Sequence, residues 1–243
     1  MASDHEVTPA ERRARIVSQL ATSERLPLQT GRLGDVCASV TQMSGAGIML
    51  LSDEGHRVSL CTTDATSETI ERLQFELGEG PCLDAFNLDE PVLEPDLANP
   101  AATRWLLFSA AAVKVGARAV FGFPMRVGAV RLGALNLYRD RPGVLSDDQH
   151  DDALAMADVA ASSVLALQAS APDGELAGEL DASANFQLVV HQAAGIVSAQ
   201  LDIPVSDALA RLRAHAIGEG RPLRDLARDV VARRLRFEPD PSP

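Results

Sequence analysis

Residues 117–138 read ARAVFGFPMRVGAVRLGALNLY. Two apolar runs, Ala117 to Met125 and Ala129 to Tyr138, are joined by the tight Val127-Gly128 turn. This spacing predicts a β-hairpin, and apolar runs of this length place both strands in the middle of a sheet. Upstream, Thr103 to Val113 reads as a helix carrying Trp105 and Phe108. Pro91 to Leu97 reads as a short strand bounded by prolines, which suits a sheet edge. Leu77-Gly78-Glu79-Gly80-Pro81-Cys82-Leu83-Asp84-Ala85-Phe86 is a glycine-framed start of a short helix, and Thr66 to Phe75 has helical spacing at Ile70, Leu73 and Phe75. A second hairpin is expected from strands at Gly45–Ser52 and Arg57–Thr62 around the turn Asp53-Glu54-Gly55-His56. A helix over about Pro27 to Met43 precedes it, with Leu33, Val36, Cys37 and Val40 inward.

The flanks carry helix-start signals. Thr8-Pro9-Ala10-Glu11 pairs a threonine cap with a glutamate three residues on, and predicts a helix to about Thr22. Its apolar residues, Ile16, Val17 and Leu20, are few, so it is expected to pack on another surface. Ser146-Asp147-Asp148-Gln149 is a second capping box, opening a helix to about Ala169. The acids of that start, Asp147, Asp148, Asp151 and Asp152, suit a helix macrodipole without a metal. The order of elements implies an antiparallel sheet flanked by helices, an α+β architecture.

Ala171-Pro172-Asp173-Gly174 breaks the pattern, and residues 171–182 read as a linker. Beyond it, LVVHQAAGIVSAQLDIPVSDALARLRAHAIGEGRPLRDLARDVVARRLRF, residues 188–237, divides into three amphipathic helices. Val189, Val190, Ala193, Ile196, Val197 and Leu201 stripe the first, which Pro204 ends. Ser206 is expected to cap the second, whose inner face is Leu209, Leu212 and Ala216. Pro222 opens the third, with Leu223, Leu226, Ala227, Val230, Val231 and Leu235 at helical spacing. Gly195 lies mid-helix, where close helix packing is the expected reason for it.

Composition bounds the class. The chain of 243 residues has room for two domains, and 46% hydrophobic content fits a globular protein. No apolar run approaches the ~18–20 residues of a membrane span, and MASDHEVTPAERRAR lacks the apolar core of a signal peptide. The expectation is a cytoplasmic protein. Cys37, Cys61 and Cys82 fit neither a disulfide framework nor a zinc site. Residues 185–238 hold eight arginines against six acids, a net +2 on a chain of formal charge −12. A locally basic module on an acidic chain fits a nucleic-acid footprint, because phosphate contacts supply most of such affinity.

Two resemblances follow. Gly78-Glu79-Gly80-Pro81-Cys82, Glu90-Pro91-Val92-Leu93-Glu94-Pro95-Asp96-Leu97, Gly122-Phe123-Pro124-Met125 and Arg131-Leu132-Gly133-Ala134-Leu135-Asn136-Leu137-Tyr138 resemble the GAF family. That family implies a signal-input domain whose members bind varied small molecules or dimerise. Gln192-Ala193-Ala194-Gly195, Ser206, Ala208, Leu212-Arg213, Ala216, Leu223 and Ala227 are similar to the ANTAR module, which implies a three-helix bundle that binds paired RNA hairpins and relieves transcription termination. Many members carry lysine where this chain has Ala194. The expected organisation is an N-terminal helix (1–25), a GAF domain (26–170), the linker (171–182), an all-α three-helix ANTAR bundle (183–237) and a tail (238–243). The partners this implies are RNA, a small molecule of unknown identity in the GAF domain and a second copy of the chain, with no membrane. The alternative is a sensor or scaffold working through protein contacts without RNA.

Site residues follow from these readings. The i,i+4 spacing pairs Asp207 with Arg211 and Asp229 with Arg233, and the i,i+3 spacing pairs Asp225 with Arg228. Arg213, Arg221, Arg224 and Arg234 lack such partners and are the stronger RNA candidates; Gln192, Arg211, Arg228 and His215 complete the set, His215 reading more readily as a solvated surface histidine than as a base-stacking one. Leu83, Trp105, Phe108, Phe121 and Phe123 are expected to wall a GAF pocket, against the alternative that each is simply core. His56 and His150 are poorly placed for haem, and Cys82 is the best-placed cysteine for a bilin but reads better as a small buried hydrophobe. No cofactor is assigned. One GAF-fold group reduces free methionine sulfoxide with pocket cysteines; here the cysteines sit on different elements, so no enzyme is expected.

Overall fold

The computed structural model describes residues 7–21, 30–52, 57–99, 104–170 and 181–238. The turn at 53–56, most of the linker at 171–182 and the tail from 239 lie outside them. Nine helices and five strands are described: α1 (Pro9–Ala21), α2 (Thr30–Thr41), β1 (Gly45–Leu51), β2 (Arg57–Thr62), α3 (Ala65–Leu77), α4 (Pro81–Leu88), β3 (Val92–Glu94), α5 (Leu106–Lys114), β4 (Ala119–Val127), β5 (Val130–Arg139), α6 (Asp147–Ser170), α7 (Asp181–Leu201), α8 (Val205–Gly218) and α9 (Leu223–Val231).

The sheet is antiparallel throughout, in the order β2-β1-β5-β4-β3. The β4–β5 hairpin sits beside β1 at its centre, and the proline-bounded β3 lies at an edge. Strand periodicity divides the side chains between two faces. Ala119, Phe121, Phe123, Met125, Leu135 and Leu137 meet α1, α2 and α6 in one core. Val120 and Tyr138 meet α5 with Ile70, Trp105 and Phe108, while Ala134 and Met49 meet α4 at Cys82, Leu83 and Phe86.

Capping sets several helix starts. Gln149 N–H donates to Ser146 Oγ at 3.2 Å while Gln149 Oε1 accepts from Ser146 N–H at 3.1 Å, the reciprocal box read from the sequence. Thr8 and Glu11 repeat it on α1. Helix α1 packs on α2 and α6. Ile16 enters the main core, and buried Arg12 donates to Asp152 at 2.8 Å and to Asp148 at 2.5 Å. The acidic start of α6 therefore also clasps α1.

Helices α7, α8 and α9 share one core of Val190, Ala193, Ala194, Val197, Ala208, Leu209, Leu212, Ala216, Leu223, Leu226, Ala227 and Val230. Three local expectations change here. Helix α8 starts at Val205 with Pro204 at its cap, so Ser206 lies inside the helix and makes no cap. Helix α9 stops at Val231, and Arg233 takes a left-handed backbone, φ 59°. Gly195 is exposed, and a Cβ there would meet nothing within 4 Å, so close packing is not its reason. Among the described residues no single helix is long and apolar enough to cross a membrane.

Candidate functional site

The α3/α4 side of the sheet carries an unusual set of buried polar groups. Glu71 and Gln74 lie on the inner face of α3, and Asn136 on β5 points to the same side because its neighbours Leu135 and Leu137 point to the other. Nε2 of Gln74 and Oδ1 of Asn136 are buried without a hydrogen-bond partner, and the buried Glu71 carboxyl lies beside Ser59 and Asn136. Burial pushes the Glu71 carboxyl up to about 8, against the opposing pull of Ser59 and Asn136. At neutral pH it is therefore an uncharged acid, able to donate as well as accept.

The glycine-framed motif ties three helices to this layer. Gly78 ends α3 in the left-handed conformation, φ 71°, and its N–H returns to Gln74 O at 3.0 Å. Glu79 Oε1 accepts from the N–H groups of Leu107 (3.1 Å) and Phe108 (2.9 Å), capping α5 from outside that helix. Gln74 Oε1 accepts from Cys82 N–H at 2.8 Å at the start of α4. Gly122 lets α4 lie directly on β4, since a Cβ there would come 2.5 Å from Pro81 O. Trp105 Nε1 donates to Asp84 Oδ2 at 3.0 Å, with Arg104 over its ring at 5.1 Å. Burial raises the thiols of Cys37 and Cys82 well above the ordinary value and that of Cys61 to about 12. No thiolate is poised for chemistry. The described residues hold no group of three or more potential metal ligands.

Toward the C-terminus the cations separate into two kinds. Arg213 is drawn inward: its Nε and Nη2 donate to Phe75 O at 3.2 and 3.0 Å, and its guanidinium lies over the Phe75 ring at 5.9 Å. The rest stay toward solvent, three of them in ion pairs. Arg221 bridges Asp229 (2.6 Å) and Glu219 (3.3 Å), Arg234 reaches Asp229 at 2.7 Å, and Arg228 meets Asp225 at 3.6 Å. His215 lies 3.2 Å from Glu219 and packs edge-on against Phe237. With Arg211 and Phe237 it lines an open groove.

A sequence pattern of the GAF domain family matches residues 32–165, more than half of the chain. The protein belongs to the GAF domain family. No curated protein matches at a significant level. Two solved GAF domains share the fold at low identity. The GAF domain of a phosphoenolpyruvate-protein phosphotransferase from Coxiella burnetii is 15% identical, with 66% of this chain and 95% of that one covered and a TM-score of 0.51. The GAF domain of the Acinetobacter phosphoenolpyruvate-protein phosphotransferase is 14% identical over the same shares, with a TM-score of 0.50. A domain of a sensor histidine kinase protein from Sinorhizobium meliloti is 20% identical, covering 56% of this chain and 89% of that one, with a TM-score of 0.45.

Within the GAF domain the five expected pocket residues do not line one cavity. Leu83, Trp105 and Phe108 lie on the α3/α4/α5 side, whereas Phe121 and Phe123 point through the sheet to α2 and α6 and are fully buried. The two-residue period of β4 forbids the set from converging. His150 packs against the Phe123 ring, centroids 5.5 Å apart, on that same far side. His56 lies outside the described residues. The residues that sequence reasoning missed are Glu71, Gln74 and Asn136. Their signal was available: Glu71 and Gln74 are one helical turn apart beside Ile70 and Phe75.

The RNA candidates also change. Arg213 is only partly presented to solvent, because α3 supplies an acceptor that only the folded chain brings near. Arg221 and Arg234 do have partners: α9 ends before Arg233, which leaves Asp229 to them. The expected Asp225–Arg228 pair is present. Gln192, Arg211 and Arg228 are exposed, and Arg224 is half-buried. Ala194 is fully buried in the bundle core.

Proposed function

We propose that this GAF-family chain is a signal-responsive regulator whose C-terminal helices bind RNA hairpins and act in transcription antitermination. The observation that carries the reading is the fate of the ANTAR-like positions. Ala193, Ala208, Leu212, Ala216, Leu223 and Ala227 all fall in one buried core. The resemblance thus describes a bundle, and leaves Gln192, Arg211 and Arg228 on its outside. The GAF domain is the sensory input, and the chain works as a homodimer that offers two bundles to two hairpins. Two weak sites at fixed spacing gain by effective concentration. No catalysis is assigned.

Titration of a two-hairpin RNA with salt tests this. Arg228→Ala is expected to weaken binding severalfold and to lower the salt slope by about one contact. The pair it loses, Arg228–Asp225, is half exposed on both sides, so stability should change by less than about 1 kcal/mol. No salt-sensitive binding by the folded full chain would remove the RNA reading. The second reading, a scaffold acting through protein contacts, draws on Arg213, whose donors already face a protein carbonyl.

A further inference from the structure

Helix α3 ends at Leu77, so its last carbonyls have no partner inside the helix. Gln74 O takes Gly78 N–H at 3.0 Å and Arg57 Nη1 at 3.4 Å. Phe75 O takes two donors from Arg213, 138 residues away in sequence. Two cations from different elements thus converge on the negative end of one helix dipole. The Phe75 side chain enters the C-terminal bundle core, edge-on to His191 of α7 at 6.2 Å and under the Arg213 guanidinium. Gly78 leaves room for the contact: a Cβ there would lie 3.1 Å from Arg213 Nη1.

The surface formed by α7 and α8 therefore fits one occupant, an aromatic side chain followed by the uncapped carbonyls of a helix end. We propose that this surface is the docking site for the C-terminal turn of α3, and that α3 couples the GAF domain to the bundle. Glu71 lies one turn before Phe75 on the same buried side of α3, and Gln74, next to Phe75, holds the start of α4. A change in the polar layer moves α3, and α3 carries Phe75. The dock is poised to open. Desolvation lowers the proton affinity of both Arg213 and Arg57, and the charge of Arg57 lowers that of Arg213 further. Arg213 meets a single carbonyl oxygen and not a carboxylate. While docked, Arg213 is withheld from any other anion. Only the identity of what the released bundle binds rests on the proposed function.

Hydrogen exchange and solution scattering on the full chain test the dock without RNA. Arg213→Gln is expected to speed exchange in the last turn of α3 by about tenfold or more, since charge-assisted hydrogen bonds to the helix end are lost. The radius of gyration should rise with helix content unchanged. Arg57→Gln removes the charge that faces Arg213 while keeping an amide donor for Gln74 O, and should slow that exchange. If Arg213→Gln loses helix content, Arg213→Lys, which keeps the charge but not the fork, should give an intermediate exchange rate. Wild-type exchange and radius in a folded Arg213 variant would overturn the proposal. Hairpin RNA is the last arm. Arg213→Gln should bind it at least as tightly as wild type, whereas a tenfold loss would place Arg213 on RNA and overturn the dock. Released bundles that bind no RNA would sink the RNA reading and leave the dock standing.

Discussion

The two faces of the central sheet are built from different materials. Toward α1, α2 and α6 it presents Phe121, Phe123, Met125, Leu135 and Leu137, all fully buried, against an alanine-rich α6. Toward α3 and α4 it presents Gly47, Gly122, Ala134 and Asn136, and the helices answer with Glu71 and Gln74. The first face is dispersion and burial, which favour one arrangement. The second keeps polar groups with unmet hydrogen-bonding capacity, so it is the face whose energy changes with protonation or with a polar guest. A GAF domain of this construction keeps stability and responsiveness on opposite sides of one sheet.

Neighbouring residues of β4 offer the sharpest way to break that comparison. Phe121→Ala should cost about 3–5 kcal/mol in chemical denaturation, the range for emptying an aromatic core site. Gly122→Ala points to the other face and must push α4 away at Pro81, costing about 1–3 kcal/mol and exposing the Cys82 thiol to alkylation. Equal costs with no change at Cys82 would mean the faces are packed alike.

Protonation sharpens the comparison next. The Glu71 carboxyl is raised in the folded state to about 8 from an ordinary 4.5. The folded chain therefore binds this proton more tightly than the unfolded chain. The resulting stability is complete below pH about 4.5, declines as pH rises, and is lost once pH passes about 8. Glu71→Gln should flatten thermal stability across that window and raise it at pH 7 by on the order of a few kcal/mol. An unchanged pH profile would show that Glu71 ionises freely in the fold. The smallest effect belongs to the C-terminal helices. Gly195→Ala should stabilise them by about 1 kcal/mol, because the site is exposed and helical. A loss of RNA affinity in that variant would give the glycine a role at the RNA surface.

Much of the α+β fold was legible because its signals are local. Thr8-x-x-Glu11 and Ser146-x-x-Gln149 cap helices within four residues. The proline-bounded strand at Val92–Glu94 lies at the edge, where a missing N–H costs nothing. The candidate site was less legible. Phe121 and Phe123 resemble pocket walls by residue type, and only the strand's period sends them to the far face. Glu71 was passed over because a glutamate in a helix usually points to water, and here Phe75 and Ile70 carry it inward.

The sequence by itself determined the order of elements, the central hairpin, the reciprocal caps and the three-helix pattern, since each depends on residues a few positions apart. Tertiary structure alone decided where cations and carboxylates end up. Asp229 chose Arg221 and Arg234 over Arg233 because the helix stopped at Val231. Arg213 chose Phe75 because folding placed the carbonyls of a helix end beside it across 138 residues. Charges act through space, and chain spacing does not report which distances folding makes short.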